Sequence, residues 1–131
     1  MKTTLNHLQI YVSDKSTSFP FYKELLTYLG YQVVADDESH LGMKNNSTGI
    51  WLKETPKDGQ HSYHRRNTGV NHIAFGVLKK ADVDRFWKEF LVSRGIPALY
   101  DTPKQFPKYT KEYYAVFFED PDKIKLEVVF L

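Results

Sequence analysis

The chain contains no cysteine. It therefore has no disulfide, no thiolate nucleophile and no cysteine-ligated zinc or iron–sulfur site. It also has no apolar run near the roughly 18 residues that span a bilayer, and its N-terminus has no apolar signal core. These absences favour a soluble, cytoplasmic protein with no membrane partner.

Excess charge of one sign is scarce too. Eighteen Lys and Arg against 16 Asp and Glu leave a net charge of +2, too little to predict a nucleic-acid partner. The GxGxxG, P-loop and GxSxG patterns are absent, so dinucleotide binding, P-loop phosphate binding and serine hydrolysis have no support. A length of 131 residues with 41% hydrophobic content fits one domain with a core of its own.

The sequence contains an internal repeat at an offset of 65 residues. Residues 5–34 align without a gap with residues 70–99, with nine identities in 30 positions. Unrelated segments would share about two. The identities include Asn6 with Asn71, His7 with His72, and Gly30 with Gly95.

Each copy reads as a strand followed by a helix. In the first copy Leu8, Ile10 and Val12 alternate with a second set of residues, which is typical of a strand with one buried face. Apolar residues then recur at helical spacing, with Pro20 expected in or near the first helical turn, and a glycine ends each helix. Further extended segments are predicted at about 31–37, 40–45, 49–54, 97–101, 113–119 and 123–130.

The sequence thus predicts an α+β fold. One domain over residues 1–131 would consist of two tandem βαβββ modules, at about 4–54 and 69–131. A polar linker at 55–68 and a second long loop at 102–112 are expected, and long loops often serve a site. The linker residues His61, His64, Arg65 and Arg66 could hold an anionic substrate, although a solvated loop is the more ordinary interpretation.

Three residues have the chemistry and the strand parity of a metal site. If Leu8, Ile10 and Val12 face a helix, His7 faces the opposite side, and His72 does the same in the second copy. Glu127 falls on that side of the last strand. Two imidazoles and one carboxylate form the set that open divalent-metal sites use, but for either histidine alone a structural or surface role is the more ordinary interpretation.

Several motifs together resemble the vicinal oxygen chelate superfamily, which includes glyoxalase I, bleomycin-resistance proteins, fosfomycin-resistance enzymes and extradiol dioxygenases. The resemblance covers nearly the whole chain. It rests on LNHLQIYVSD at 5–14, GVNHIAF at 69–75 and FEDPD at 118–122, which leads to Leu126 and Glu127.

The resemblance implies a cup-shaped, partly open, eight-stranded barrel-like sheet with its helices outside. It places His7, His72 and Glu127 at the ligand positions of one divalent metal ion, for which zinc, nickel, manganese and iron(II) all fit. It implies that the metal acts as a Lewis acid on vicinal oxygens of a small-molecule substrate. It also implies a homodimer, in which ligands could come from one chain or from two.

The chain departs from two members of the superfamily. Superposing the closing hairpins puts Lys53 where glyoxalase I looks to have a fourth, glutamate ligand, with Glu54 facing the other way. Phe117 falls where extradiol dioxygenases carry a catalytic tyrosine. A typical glyoxalase I and a typical ring-cleaving dioxygenase are therefore both disfavoured.

Two functional hypotheses follow. The first is a metal-dependent enzyme performing isomerisation, lyase chemistry or group transfer, with Lys53, Tyr113 and Tyr114 as catalytic candidates. A rim residue is the more ordinary interpretation of Lys53, whereas the tyrosines could equally be packing residues. The second is a metal-free binding protein of the bleomycin-resistance kind, which the 15% aromatic content keeps open.

Overall fold

The chain divides into two units, Met1–Ser62 and Tyr63–Leu131, in a computed structural model that describes all 131 residues. Each unit contains one βαβββ module, as the repeat predicts. No helix is long and apolar enough to cross a membrane.

The first module contains one helix and four strands. They are β1 (His7–Val12), α1 (Lys15–Tyr28), β2 (Gln32–Asp36), β3 (His40–Lys44) and β4 (Gly49–Glu54). The sheet order is β1-β4-β3-β2. β1 and β4 are parallel, whereas the other pairs are antiparallel. The helix packs on β2, β3 and β4.

The second module repeats this plan. It contains β5 (His72–Val77), α2 (Lys80–Phe86), β6 (Leu99–Gln105), β7 (Tyr114–Glu119) and β8 (Lys125–Phe130). The sheet order is β5-β8-β7-β6, with β5 and β8 parallel. α2 continues through a π-helical turn at Trp87–Leu91 and a 3-10 turn at Val92–Arg94.

The predicted strand parity is confirmed. Ile10 and Val12 are buried on the helix side of β1, whereas His7 is exposed. β8 differs from β1 because both of its faces are buried. On the face away from α2, a second small core consists of Ala115, Phe117 and Val129, with Leu99, Phe106 and Tyr113 packed against it.

The helix ends agree with the glycine prediction but not with the placement of Pro20. Gly30 and Gly95 have φ of 85° and 65°, the left-handed conformation that favours glycine. α1 begins earlier than expected because Asp14 caps it, accepting a hydrogen bond from the Ser16 backbone N–H at 2.8 Å. Pro20 therefore lies in the second turn, and its placement in or near the first turn was wrong.

The boundary of the second predicted loop also needs correction. β6 extends to Gln105, so residues 102–105 belong to a strand and only the remainder of 102–112 is a connection. The pairing of β6 with β7 is irregular between Leu99 and Lys104. Within this interval Tyr100 and Asp101 have left-handed φ of 60° and 53°.

Close packing in the first sheet requires a glycine on β3. Gly42 stands opposite Trp51 of β4, and a Cβ added at Gly42 would lie 2.6 Å from the indole ring. The indole therefore lies directly on the β3 backbone, on the face of the sheet that carries His7.

We expect Gly42→Ala to lower the free energy of unfolding by about 1–3 kcal/mol, because the methyl group forces the indole out of its place. Gly76→Ala on β5 is the matched control, since a Cβ there meets nothing within 4 Å. Urea denaturation of both variants measures the difference. Equal stability of the two variants would contradict the packing of Trp51 on Gly42.

Candidate metal centre

His72 and Glu127 come together in the second module. β5 and β8 pair so that Ala74 stands opposite Glu127, which places the imidazole of His72 beside the carboxylate. His72 Nε2 lies 3.2 Å from Glu127 Oε2. The Glu127 side chain is 0% exposed, whereas that of His72 is 37% exposed. A fully buried carboxylate thus faces a histidine that solvent and ligands can reach.

The hydrogen bonds around His72 determine which ring nitrogen is free. Asn71 donates through Nδ2 to the Arg65 carbonyl at 3.0 Å, so its Oδ1 is left as an acceptor. That oxygen lies 2.8 Å from His72 Nδ1, which must therefore carry the proton. In the neutral ring Nε2 then holds a lone pair, and this lone pair faces Glu127.

Glu127 has one satisfied and one unsatisfied oxygen. Tyr113 donates its hydroxyl to Oε1 at 2.6 Å, but Oε2 is buried without any hydrogen-bond donor. An orphaned buried carboxylate oxygen costs free energy. The contact with His72 is therefore stable only if a proton enters at Nε2 or if a cation lies between the two lone pairs.

The donor pair fits a divalent metal. Imidazole nitrogen and carboxylate oxygen bind such ions at about 2.0–2.2 Å, so two ligands on one ion lie about 3 to 3.5 Å apart. The observed 3.2 Å between Nε2 and Oε2 falls in this range. The bonds that Asn71 and Tyr113 make are of the kind that orient metal ligands in proteins.

His7 is held in the same way in the first module. Its Nδ1 lies 2.8 Å from Asn6 Oδ1, which repeats the pair formed by Asn71 and His72. His7 lines a separate pocket of about 330 Å³ together with Gln9, Lys44 and Trp51. Neither module by itself groups three or more histidine, aspartate or glutamate side chains that could hold a metal.

Strand register corrects the predicted equivalence of Lys53. His7 stands opposite Gly49, and His72 stands opposite Lys125. Two residues further along, the counterpart of Glu127 is therefore Trp51, not Lys53, which lies opposite Tyr11. The superposition of the hairpins was therefore wrong by two residues. Glu54 does face the other way, since its Oε1 accepts from the Lys15 backbone N–H at 3.0 Å.

The adjacent tyrosines have separate environments. Burial, and after it the Glu127 carboxylate, raises the pKa of Tyr113 well above its ordinary value, so its hydroxyl stays protonated and acts as a donor. Tyr114 donates to Asp84 on α2 at 2.6 Å. Burial and that carboxylate raise the pKa of Tyr114 to about 12. Only Tyr113 lies beside His72 and Glu127.

An aromatic pocket of about 560 Å³ opens beside His72. Besides His72 and Lys125, five aromatic side chains line it: Tyr100, Phe106, Tyr109, Tyr113 and Phe117. The Phe117 and His72 rings meet edge to face with centroids 6.3 Å apart. Among the residues that line this pocket, the sequence predicted His72 and Tyr113 as site residues. It did not predict the other aromatic side chains of the lining. The available signal was the cluster of aromatic residues within the 102–112 segment.

Comparisons with known proteins identify the family and the fold of the chain. The model of the Glyoxalase/Bleomycin resistance protein/Dioxygenase superfamily matches residues 4–128, and the chain belongs to that superfamily. It is 33% identical over 126 residues to the uncharacterized protein YqjT of Bacillus subtilis (strain 168), covering 95% of this chain and 97% of that one.

Solved structures show the same fold. A glyoxalase-like protein from Bacillus halodurans is 34% identical, with a TM-score of 0.87 over 97% of this chain and 95% of that one. Lactoylglutathione lyase from Agrobacterium tumefaciens has a TM-score of 0.70 at 18% identity, over 98% and 94% of the two chains. At that identity the second likeness concerns the fold alone.

We expect Tyr113→Phe to destabilise the protein by about 1–3 kcal/mol, since both oxygens of the buried Glu127 then lack a donor. Tyr114→Phe is the matched control. Its partner Asp84 is exposed and can bind water instead, so we expect a loss below about 1 kcal/mol. Chemical denaturation of the metal-free variants makes the comparison, and a larger loss in Tyr114→Phe would contradict the role given to Tyr113.

Proposed function

We propose that this protein is a divalent-metal-dependent enzyme that acts on a small oxygenated molecule. The observation that carries the proposal is that His72 Nε2 lies 3.2 Å from Glu127 Oε2, a buried oxygen with no hydrogen-bond donor. His7 is the third ligand in this proposal, supplied by the first module of the same chain or of a second copy. When bound, the metal supplies Lewis acidity that stabilises negative charge developing on a substrate oxygen.

Each nearby side chain has a separate part in the proposed reaction. The Tyr113 hydroxyl holds one oxygen of Glu127, so the other oxygen is directed towards His72. Asn71 keeps the proton of His72 on Nδ1. The aromatic wall binds the apolar part of the substrate and excludes water from it. Lys125 places a positive charge at the edge of the same pocket.

The reaction class is isomerisation, lyase chemistry or group transfer. The first module has Trp51, which has no carboxylate, at the place equivalent to Glu127, so a four-ligand set of the glyoxalase I kind is not proposed. Phe117 stands opposite Glu127 on β7 and offers no hydroxyl, so ring cleavage assisted by a tyrosine at that position is not proposed either. Lys53 does not line the His7 pocket and is given no part.

We expect the protein, purified without a histidine tag, to bind one Zn²⁺, Ni²⁺, Mn²⁺ or anaerobic Fe²⁺ ion per chain. His72→Ala, Glu127→Gln and His7→Ala should each abolish stoichiometric binding, because each removes a ligand. His61→Ala, in the exposed linker, should bind as the wild type does. Equilibrium dialysis with elemental analysis measures the ratio. A chain that binds none of these ions would disprove the metal proposal.

The asparagine beside each histidine provides a finer test. We expect Asn71→Ala to weaken metal binding by about 10–100-fold, because His72 loses the bond that fixes its proton and its ring orientation. Asn6→Ala should weaken it similarly through His7. Asn67→Ala is the control on the linker, and competition with a chelator reports the affinities. Unchanged metal affinity in both Asn71→Ala and Asn6→Ala would contradict the orienting role of the asparagines.

A metal-free binding protein is the second candidate function, and the five aromatic side chains of the pocket favour it. Catechol, an aromatic compound with vicinal oxygens, separates the two candidates. If the metal proposal holds, Zn²⁺ should raise the affinity for catechol at least about tenfold, and His72→Ala should remove that gain. If His72→Ala leaves catechol binding intact with and without Zn²⁺, the binding protein is favoured. Isothermal titration calorimetry measures each affinity.

A further inference from the structure

A second pocket borders the aromatic pocket in the same module. Its volume is about 460 Å³, and it shares Tyr100 and Lys125 with its neighbour. Arg65, Arg66 and Lys123 complete its charged lining, together with Glu119. We call it the cationic pocket. A ligand that fills the aromatic pocket can therefore extend past Tyr100 and Lys125 into a region of different chemistry.

The cationic pocket concentrates positive charge. Four arginine and lysine side chains face one carboxylate there, which leaves a surplus of three charges, whereas the whole chain carries +2. Like charges held this close repel one another. A bound anion would relieve that repulsion. Without a bound anion, only solvent and counter-ions screen it.

Glu119, the one carboxylate of the cationic pocket, already has cationic partners. Glu119 Oε1 accepts from Arg65 at 2.5 Å, and Glu119 Oε2 lies 3.5 Å from Lys123 Nζ. Burial is the largest single influence on Glu119 and raises its pKa, but the hydrogen bonds and positive charges of Arg65 and Lys123 together outweigh burial and hold the pKa below its ordinary value. Glu119 is thus ionised and neutralises Arg65, while Arg66 and Lys125 have no carboxylate partner.

Lys125 links the two pockets. Its ammonium group lies 5.5 Å from the Phe117 ring centroid and 5.8 Å from that of Tyr100, distances at which a ring face still attracts a cation. The two rings hold the charge at the boundary without neutralising it. An anionic group placed there would contact Lys125 and reach towards Arg66 and Lys123.

Backbone strain coincides with this boundary. The only non-glycine residues with positive φ are Tyr100, Asp101 and Lys123, and two of these three line the cationic pocket. Left-handed backbone at such residues costs about 1–3 kcal/mol each and collects at functional sites. The fold retains this strain where it places the Tyr100 ring and the Lys123 side chain.

We infer that the cationic pocket is an anion subsite that takes the carboxylate or phosphonate group of a ligand whose apolar body lies in the aromatic pocket. The assignment of the anionic group and the apolar body to the substrate of the enzyme rests on the proposed function. The binding itself needs no metal. The substrate class then narrows to small organic anions with an aromatic or apolar body. Of the linker residues, Arg66 has the anion-binding role that the sequence left open, whereas Arg65 is paired with Glu119.

Calorimetry on the full chain, freed of metal with EDTA, tests this subsite. The probes are 3-phenylpropionate and its uncharged analogue 3-phenylpropionamide, with phenylphosphonate to distinguish the two kinds of oxyanion. We expect the carboxylate to bind about tenfold more tightly than the amide, because charge-assisted hydrogen bonds form only with the anion. That advantage should shrink as NaCl concentration rises.

Variants assign the effect to the pocket. Arg66→Ala and Lys123→Ala should each weaken 3-phenylpropionate binding about fivefold, Arg66→Glu should weaken it further, and none should change amide binding. Lys88→Ala, which removes one charge from the exposed face after α2, should change neither. Equal affinity for the two probes, no binding of either, or equal effects of Arg66→Ala and Lys88→Ala would overturn the inference. Because metal is absent throughout, failure here is distinct from failure to bind metal.

Discussion

The contact between His72 Nε2 and Glu127 Oε2 constrains the rest of the second module. A carboxylate with no exposed surface must have its oxygens satisfied, and the fold satisfies only Oε1, through Tyr113. The parallel register of β5 and β8 brings the histidine to the remaining oxygen. Asn71 then holds a proton on Nδ1, so that in the neutral ring Nε2 is left as the acceptor that faces Glu127. These three features together produce a site that a cation would complete.

The two modules share a plan, but only the second has the aromatic pocket. Strands β1 and β5 are related by an offset of 65 residues, whereas the residues opposite His7 and His72, Gly49 and Lys125, differ by 76. The eleven extra residues fall between the helix and the last strand of the second module. That interval contains all five aromatic side chains of the pocket. The duplication accounts for the equivalent positions of His7 and His72. The longer second module accounts for the aromatic pocket.

Sequence periodicity predicted the elements better than it predicted their register. Alternation along β1, β5 and β8 sufficed to place the histidines and Glu127 on the faces away from the helices, because side-chain parity depends only on local geometry. The equivalence of Lys53 with Glu127 failed because register depends on the chain length between strands. Pro20 lies deeper in α1 than expected because the Asp14 cap starts the helix at Lys15. For the cationic pocket, the sequence showed only that the linker contains basic residues. The pocket itself could not be predicted because Arg65 pairs with Glu119, which is distant in the sequence.

The central claim is that Nε2 of His72 is a metal ligand whose ring is fixed through Nδ1. Nitrogen-15 NMR of the histidine side chains during a Zn²⁺ titration tests it most directly, with assignment by His72→Ala. The account predicts that His72 keeps its proton on Nδ1 and that its Nε2 resonance shifts until one Zn²⁺ is bound per chain. A His72 ring that stays protonated on both nitrogens and does not respond to Zn²⁺ would contradict the account, and the contact with Glu127 would then be an ion pair.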